Sequence, residues 1–358
     1  MSANHLYHTW FHRIEQLWPG LRVTQLRNFA WLLVGICLSH SVHLNDIAEQ
    51  IPSRAKLLSL TRRLSRFLDN QHVRVRQLYG RIARDLLQEA ARHGGIRLIV
   101  DATKVGFGHQ LLIVAIAYRR RALPIVWTWV KGRIGHSTSV KQLALLAYIH
   151  WLIPEGTPVL VVGDCEFGAV NVLQQLDYWR WHYVLRQPCS NLIDLTLYNN
   201  WQRFGDVLDK PGQSKWLGRG FLTLEHVYPV HLLAHWKKDE DTPWLLATNL
   251  TTKQAALRAY RRRPWIEEMF GDMKRHGFDL ESTHLCHFLR LSRLTLAVAI
   301  LYVWLVAYGA RAIKDGKRHL VDRKDRRDLC IFQIGWRLVK RRLVNQLPTP
   351  ICLCPNVW

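Results

Sequence analysis

The stretch from Arg97 to Val130, RLIVDATKVGFGHQLLIVAIAYRRRALPIVWTWV, carries the strongest local signal in the chain. Three runs rich in apolar and β-branched residues, Arg97 to Val105, Leu111 to Arg119 and Ala122 to Val130, are separated by glycine or charged turns. That pattern predicts three consecutive strands joined as a meander. Within the first run, Leu98-Ile99-Val100 leads directly into Asp101, and a carboxylate inside an apolar strand is costly unless it is paired or bound to a metal. A helical pattern follows from Ser139 to Leu152. Pro158 to Gly163 is then short and wholly apolar, as expected of a strand buried on both faces, and it ends on Asp164. Val170 to Trp179 reads as a helix and His182 to Arg186 as another strand.

Three strands, helix, strand, helix, strand is the order of an RNase H-like core, so residues 91–187 are read as the first part of an α/β catalytic domain of that kind. In such a sheet the strands bearing Asp101 and Asp164 are neighbours. Residues 1–90 read as a helical domain. There, Leu57, Leu60, Leu64 and Phe67 share one expected buried face while Arg62 and Arg66 share another, after a turn at Pro52 and Ser53. The pattern resembles a helix-turn-helix, in which Arg62 and Arg66 would meet DNA. Residues 188–250 break the alternation with strand-like pieces at Phe221 to Val227, Val230 to His235 and Pro243 to Asn249, and read as a β-rich insertion. Residues 251–313 return to helix and complete the catalytic domain, with Thr252 as an N-cap and a helix from about Pro264 to His276. Residues 314–358 form a basic C-terminal region.

The 358 residues include 50 Lys plus Arg against 27 Asp plus Glu, a net charge of +23 that makes a polyanion the first partner to consider. The seven cysteines are scattered without a C-x-x-C pair, which speaks against a disulfide framework or a zinc site and for free thiols in a reducing cytoplasm. His284, Cys286 and His287 lack zinc-finger spacing and are read as structural. Leu294 to Ala310 is an uncharged run of 17 residues, at the short edge for a membrane span, and is expected to be a buried helix. Met1 to Trp10 lacks the order of a secretory signal, so the protein is expected to be cytoplasmic with no membrane partner.

Phosphodiester cleavage assisted by two metal ions needs hard oxygen ligands on a rigid frame. Asp101 and Asp164 fall at strand positions suited to that task, and Glu267 opens a late helix where it would complete the set. Glu268 and Asp272 stand close enough in sequence to be alternatives, and a lone glutamate in a first helical turn is common for dipole reasons.

The segment Tyr260-Arg-Arg-Arg263-Pro-Trp-Ile-Glu267-Glu-Met-Phe-Gly-Asp-Met-Lys274 satisfies Y-x2-R-x3-E-x6-K. Through this signature the chain resembles the IS-four family of bacterial insertion-sequence DDE transposases. The resemblance extends to "IVDAT" at Asp101, to "VVGDCEFG" at Asp164 and to the β-rich stretch before the glutamate. It implies that Asp101, Asp164 and Glu267 form the catalytic, metal-binding triad, holding two Mg2+ ions with Mn2+ as a substitute. Further implications are cleavage at the terminal inverted repeats, joining of 3′ ends to target DNA, double-stranded DNA as partner, and a homodimer in the synaptic complex. By the same resemblance Trp244, opening the strand "WLLAT", would stack on a flipped base, with Trp236 as the alternative. The motif residues lie at offsets 0, 3, 7 and 14, which one helix would align so that Arg263 and Lys274 grip phosphates beside Glu267. Pro264 opposes that, since it would break a continuous helix after Tyr260. A nuclease or resolvase of the same fold, or an inactive DNA-binding derivative, remains the competing reading.

Overall fold

The computed structural model describes residues 2–106, 108–131, 137–196 and 199–355. Five helices come first: α1 (Ser2–Leu17), α2 (Val23–Ser39), α3 (Leu44–Glu49), α4 (Leu57–Asp69) and α5 (Val75–Arg92). Helix α3 packs on α4, the pair expected from the turn at Pro52. Along α4, Leu60, Leu64 and Phe67 are buried while Arg62 and Arg66 are exposed, as the spacing predicts. Leu57 departs from the pattern and is 42% exposed, because the helix begins there, before its apolar face has met the core.

Strands β1 (Ile96–Val105), β2 (His109–Tyr118) and β3 (Arg121–Lys131) form the antiparallel meander, followed by α6 (Ser139–Leu152), β4 (Val159–Gly163), α7 (Val170–Tyr178) and β5 (His182–Arg186). Strands β1, β4 and β5 run parallel. This is an RNase H-like arrangement, and most residues of these strands are buried because helices cover the sheet.

The β-rich stretch does not stand apart from this sheet. It contributes β6 (Leu192–Asp194), β7 (Trp201–Arg203), β8 (Ser214–Leu222), β9 (Tyr228–His235) and β10 (Trp244–Thr248). Strand β10 pairs antiparallel with β5, so one sheet of ten strands runs in the order β3-β2-β1-β4-β5-β10-β9-β8-β6-β7. One expected strand is displaced: Phe221 to Val227 spans the end of β8 and the turn before β9, because Thr223 to Val227, exposed from Leu224 on, form the connection of that hairpin.

Helices α8 (Lys253–Tyr260), α9 (Trp265–Met273), α10 (Phe288–Lys314) and α11 (Ile331–Val344) complete the chain. The Thr252 hydroxyl caps α8 by accepting the Ala255 N–H. The 27 residues of α10 are long and apolar enough to cross a membrane, yet every residue from Leu294 to Ala307 is at most 2% exposed. Helices α2, α4, α5, α9 and α11 and strand β3 surround it. Trp304 meets Trp10 edge to face at 5.2 Å, and the buried Arg293 guanidinium donates to the carbonyls of Leu68 and Val73. Gly309 and Gly335 let α10 and α11 touch backbone to backbone: a Cβ on Gly335 would lie 1.9 Å from the Leu305 carbonyl oxygen.

Candidate active site

Register places the first two carboxylates. Val100 of β1 is paired with Gly163 of the parallel β4, so Asp101 and Asp164, one residue further on, emerge side by side at the same edge. Each has one oxygen held by the next backbone amide: Ala102 N–H donates to Asp101 Oδ1 and Cys165 N–H to Asp164 Oδ1, both at 2.8 Å. The other oxygens turn toward Arg263, whose Nη2 donates to Asp101 Oδ2 at 3.0 Å and to Asp164 Oδ2 at 3.1 Å. Arg263 Nη1 pairs with Glu267 Oε1, so one guanidinium gathers all three expected acids. They line an open cleft of about 540 Å³ together with Thr103, Lys104, Gln110, Glu166 and Lys274.

The signature is not carried by one helix. Helix α8 ends at Tyr260, residues 261–264 turn, α9 begins at Trp265 and ends at Met273, and Lys274 lies beyond it. Proline at 264 has no N–H to continue α8 and a φ of −62° that suits a helix start. The expected single face is therefore corrected: Arg263, Glu267 and Lys274 meet at the cleft because the chain bends at both ends of α9. The helix reaching to His276 is shortened for the same reason.

Helix α9 also separates the acids that sequence left as alternatives. Glu267 faces the cleft, whereas Glu268 and Asp272 face Arg121 of β3, at 2.9 Å and 2.8 Å. Arg121, next to the charged turn between the second and third strands, is only 9% exposed, whereas Arg119 and Arg120 remain exposed in that turn.

Lys274 donates to Thr103 Oγ1 at 2.8 Å and to the Lys104 carbonyl at 2.7 Å, which fixes it at the far end of the cleft. Tyr260 is buried, its ring edge to face with Trp244 at 4.9 Å, and burial with Asp164 nearby pushes its hydroxyl above the usual tyrosine range. Trp244 is 6% exposed, with Lys237 Nζ 3.9 Å over its ring, so stacking on a base requires that face to be uncovered. Trp236 is half-buried and donates from Nε1 to the Glu240 carbonyl. Arg62 and Arg66 lie on α4, away from this cleft.

Two neighbours were not singled out from sequence. Arg186 ends β5 with Nη1 3.8 Å from Asp164 Oδ1, and its Nη2 donates to Thr242 Oγ1 and the Pro243 carbonyl, tying Asp164 to the turn before Trp244. Its only sequence signal is a cation closing an apolar strand. Glu166, two residues past Asp164, accepts the Ser137 N–H.

Burial pushes the Asp101 carboxyl up to about 6 against the opposing pull of Arg263. No group of three His, Cys, Asp or Glu side chains among the described residues is gathered around one ion position; the carboxylates converge on a guanidinium instead. Carboxylate oxygens are the hard donors that divalent ions take, and here the three acids hold the Arg263 guanidinium.

Residues 87–304, more than half of the chain and all of the cleft just described, match the family model described as the transposase DDE domain. The chain belongs to this family. It is therefore a transposase, and the matched segment begins in α5 and ends inside α10. Among curated proteins no match is found. A cryo-EM structure of the piggyBac transposase synaptic complex with hairpin DNA is similar at 9% identity and a TM-score of 0.45, over 98% of this chain and 83% of that one.

Proposed function

We propose that this DDE transposase is a member of the IS-four family that binds the terminal inverted repeats of an insertion sequence, cleaves DNA at those ends and joins the 3′ ends to target DNA. The observation that carries this reading is the convergence of Asp101, Asp164 and Glu267 on one cation at the carboxyl edge of two parallel strands. Two Mg2+ ions, with Mn2+ as a substitute, would supply activation of the attacking oxygen and stabilisation of the leaving one. Asp101, the most buried of the three acids, would share both ions, and Asp164 and Glu267 would each hold one. The backbone amides of Ala102 and Cys165 aim the two aspartates, so little reorientation is needed. Lys274 and Arg263 lie at the cleft to hold phosphates flanking the scissile bond.

The helical domain of residues 1–90, with Arg62 and Arg66 exposed, supplies further DNA contact, and Trp244 stacks on a flipped base once Lys237 leaves its ring. Two protomers act together on two ends, and the protein works in the cytoplasm. Supercoiled plasmid carrying the inverted repeats that flank the gene tests the reading. Mg2+-dependent end cleavage followed by joining to a second plasmid is expected, and cleavage without joining of pre-cut ends would leave a nuclease instead.

A further inference from the structure

The way Arg263 holds the three carboxylates determines how an ion must enter. Its Nη2 bridges one oxygen of Asp101 and one of Asp164, and its Nη1 takes an oxygen of Glu267. The remaining nitrogen, Nε, is buried without a hydrogen-bond partner among the described residues, so there the guanidinium's hydrogen bonds all go to these carboxylates. A divalent ion seated between Asp101 and Asp164 competes for the oxygens that Nη2 occupies, since Oδ1 of each acid already accepts a backbone N–H. Two cations cannot share those oxygens at this spacing without strong repulsion.

Arg263 also sits where it can leave. It belongs to the turn of residues 261–264 between α8 and α9, so re-aiming its side chain disturbs no helical ladder. Lys274, a second cation of the cleft, is already committed to Thr103 and the Lys104 carbonyl at the far end. A displaced guanidinium at the cleft wall is matched in shape and charge to a DNA phosphate, which it takes through a fork of two N–H groups.

We infer that Arg263 is an exchangeable internal counter-ion: it neutralises Asp101, Asp164 and Glu267, yields to a divalent ion, and passes to a backbone phosphate. Metal loading and DNA binding are then coupled through one side chain, and the coupling is reciprocal. This rests on the reading of the three acids as metal ligands, so the test separates the two ideas.

Mn2+ binding to the full chain without DNA is measured by calorimetry and by electron paramagnetic resonance for the wild type, Arg263→Ala, Arg263→Gln and Asp101→Asn. Removal of the competing cation is expected to tighten Mn2+ binding about tenfold in both Arg263 variants. A short duplex is expected to tighten Mn2+ binding several-fold in the wild type and much less in Arg263→Gln. Equal or weaker Mn2+ affinity in the Arg263 variants, with binding lost in Asp101→Asn, overturns the exchange and leaves the metal site standing. Binding that survives unchanged in Asp101→Asn overturns the metal-site reading and the exchange with it. If Arg263→Ala does not fold alone, rescue of its folding by Mn2+ supports the exchange and Arg263→Gln supplies the affinity comparison. Failure of both variants to fold even with Mn2+ overturns it, because the ion would then be no substitute for the guanidinium.

Discussion

Glu267 and Glu268, adjacent in sequence, serve different faces of α9: the first meets Arg263 in the cleft, the second meets Arg121 of β3. Their substitutions should therefore differ sharply. Glu267→Gln removes a cleft carboxylate and is expected to lower end cleavage by roughly a thousandfold or more. Glu268→Gln, whose side chain is more than half exposed, is expected to leave cleavage within a few-fold of the wild type. Gel assays of end cleavage with both variants check this, and equal losses would refute it.

Asp272 gives a pH dependence of stability. It is almost fully buried and shares the Arg121 guanidinium with Glu268, and burial pushes its carboxyl up to about 7. A carboxyl whose folded value is raised binds more protons in the native than in the unfolded chain. Its stabilising contribution is thus complete below the ordinary aspartate value and is lost as pH rises through about 7. Melting temperature measured from pH 5 to 8 is expected to fall more for the wild type than for Asp272→Asn. Parallel curves would show that Asp272 stays ionised throughout.

Lys274→Ala removes the cation at the far end of the cleft. Binding of end DNA is expected to weaken and its salt dependence to lose a slope of about one. Fluorescence anisotropy over a range of salt measures both. An unchanged slope would place Lys274 in a purely structural role at the end of β1.

At the crossing of α10 and α11, Gly335→Ala inserts a Cβ against the Leu305 carbonyl oxygen, where backbone on both sides resists movement. A loss of at least about 3 kcal/mol is expected in urea denaturation. Gly316→Ala, where a Cβ meets nothing within 4 Å, is the comparison, although its φ of +70° adds a cost of about 1 kcal/mol.

Much of the core was legible because it depends on local pattern. The runs around Asp101 and Asp164 alternate or bury as strands must, and β5 and α6 fall where periodicity placed them, at His182–Arg186 and Ser139–Leu152. Arg62 and Arg66 stay exposed on α4 for the same reason. The continuation of the sheet from β5 into β10 was not legible, because pairing between Leu185 and Ala247 joins residues far apart in the chain and leaves no local mark.

For the candidate cleft, residue type and strand position nominated Asp101 and Asp164, and the resemblance to the IS-four signature added Arg263, Glu267 and Lys274 and chose Glu267 over its acidic neighbours. Folding alone decided that Asp272 and Glu268 turn away to Arg121 and that Arg186 reaches Asp164. It likewise decided which elements, helices α2, α4, α5, α9 and α11 and strand β3, enclose the apolar run of α10 that its composition marked for burial. Each of those outcomes is a contact between distant segments, and its energy comes from burial and charge pairing that no single stretch of chain contains.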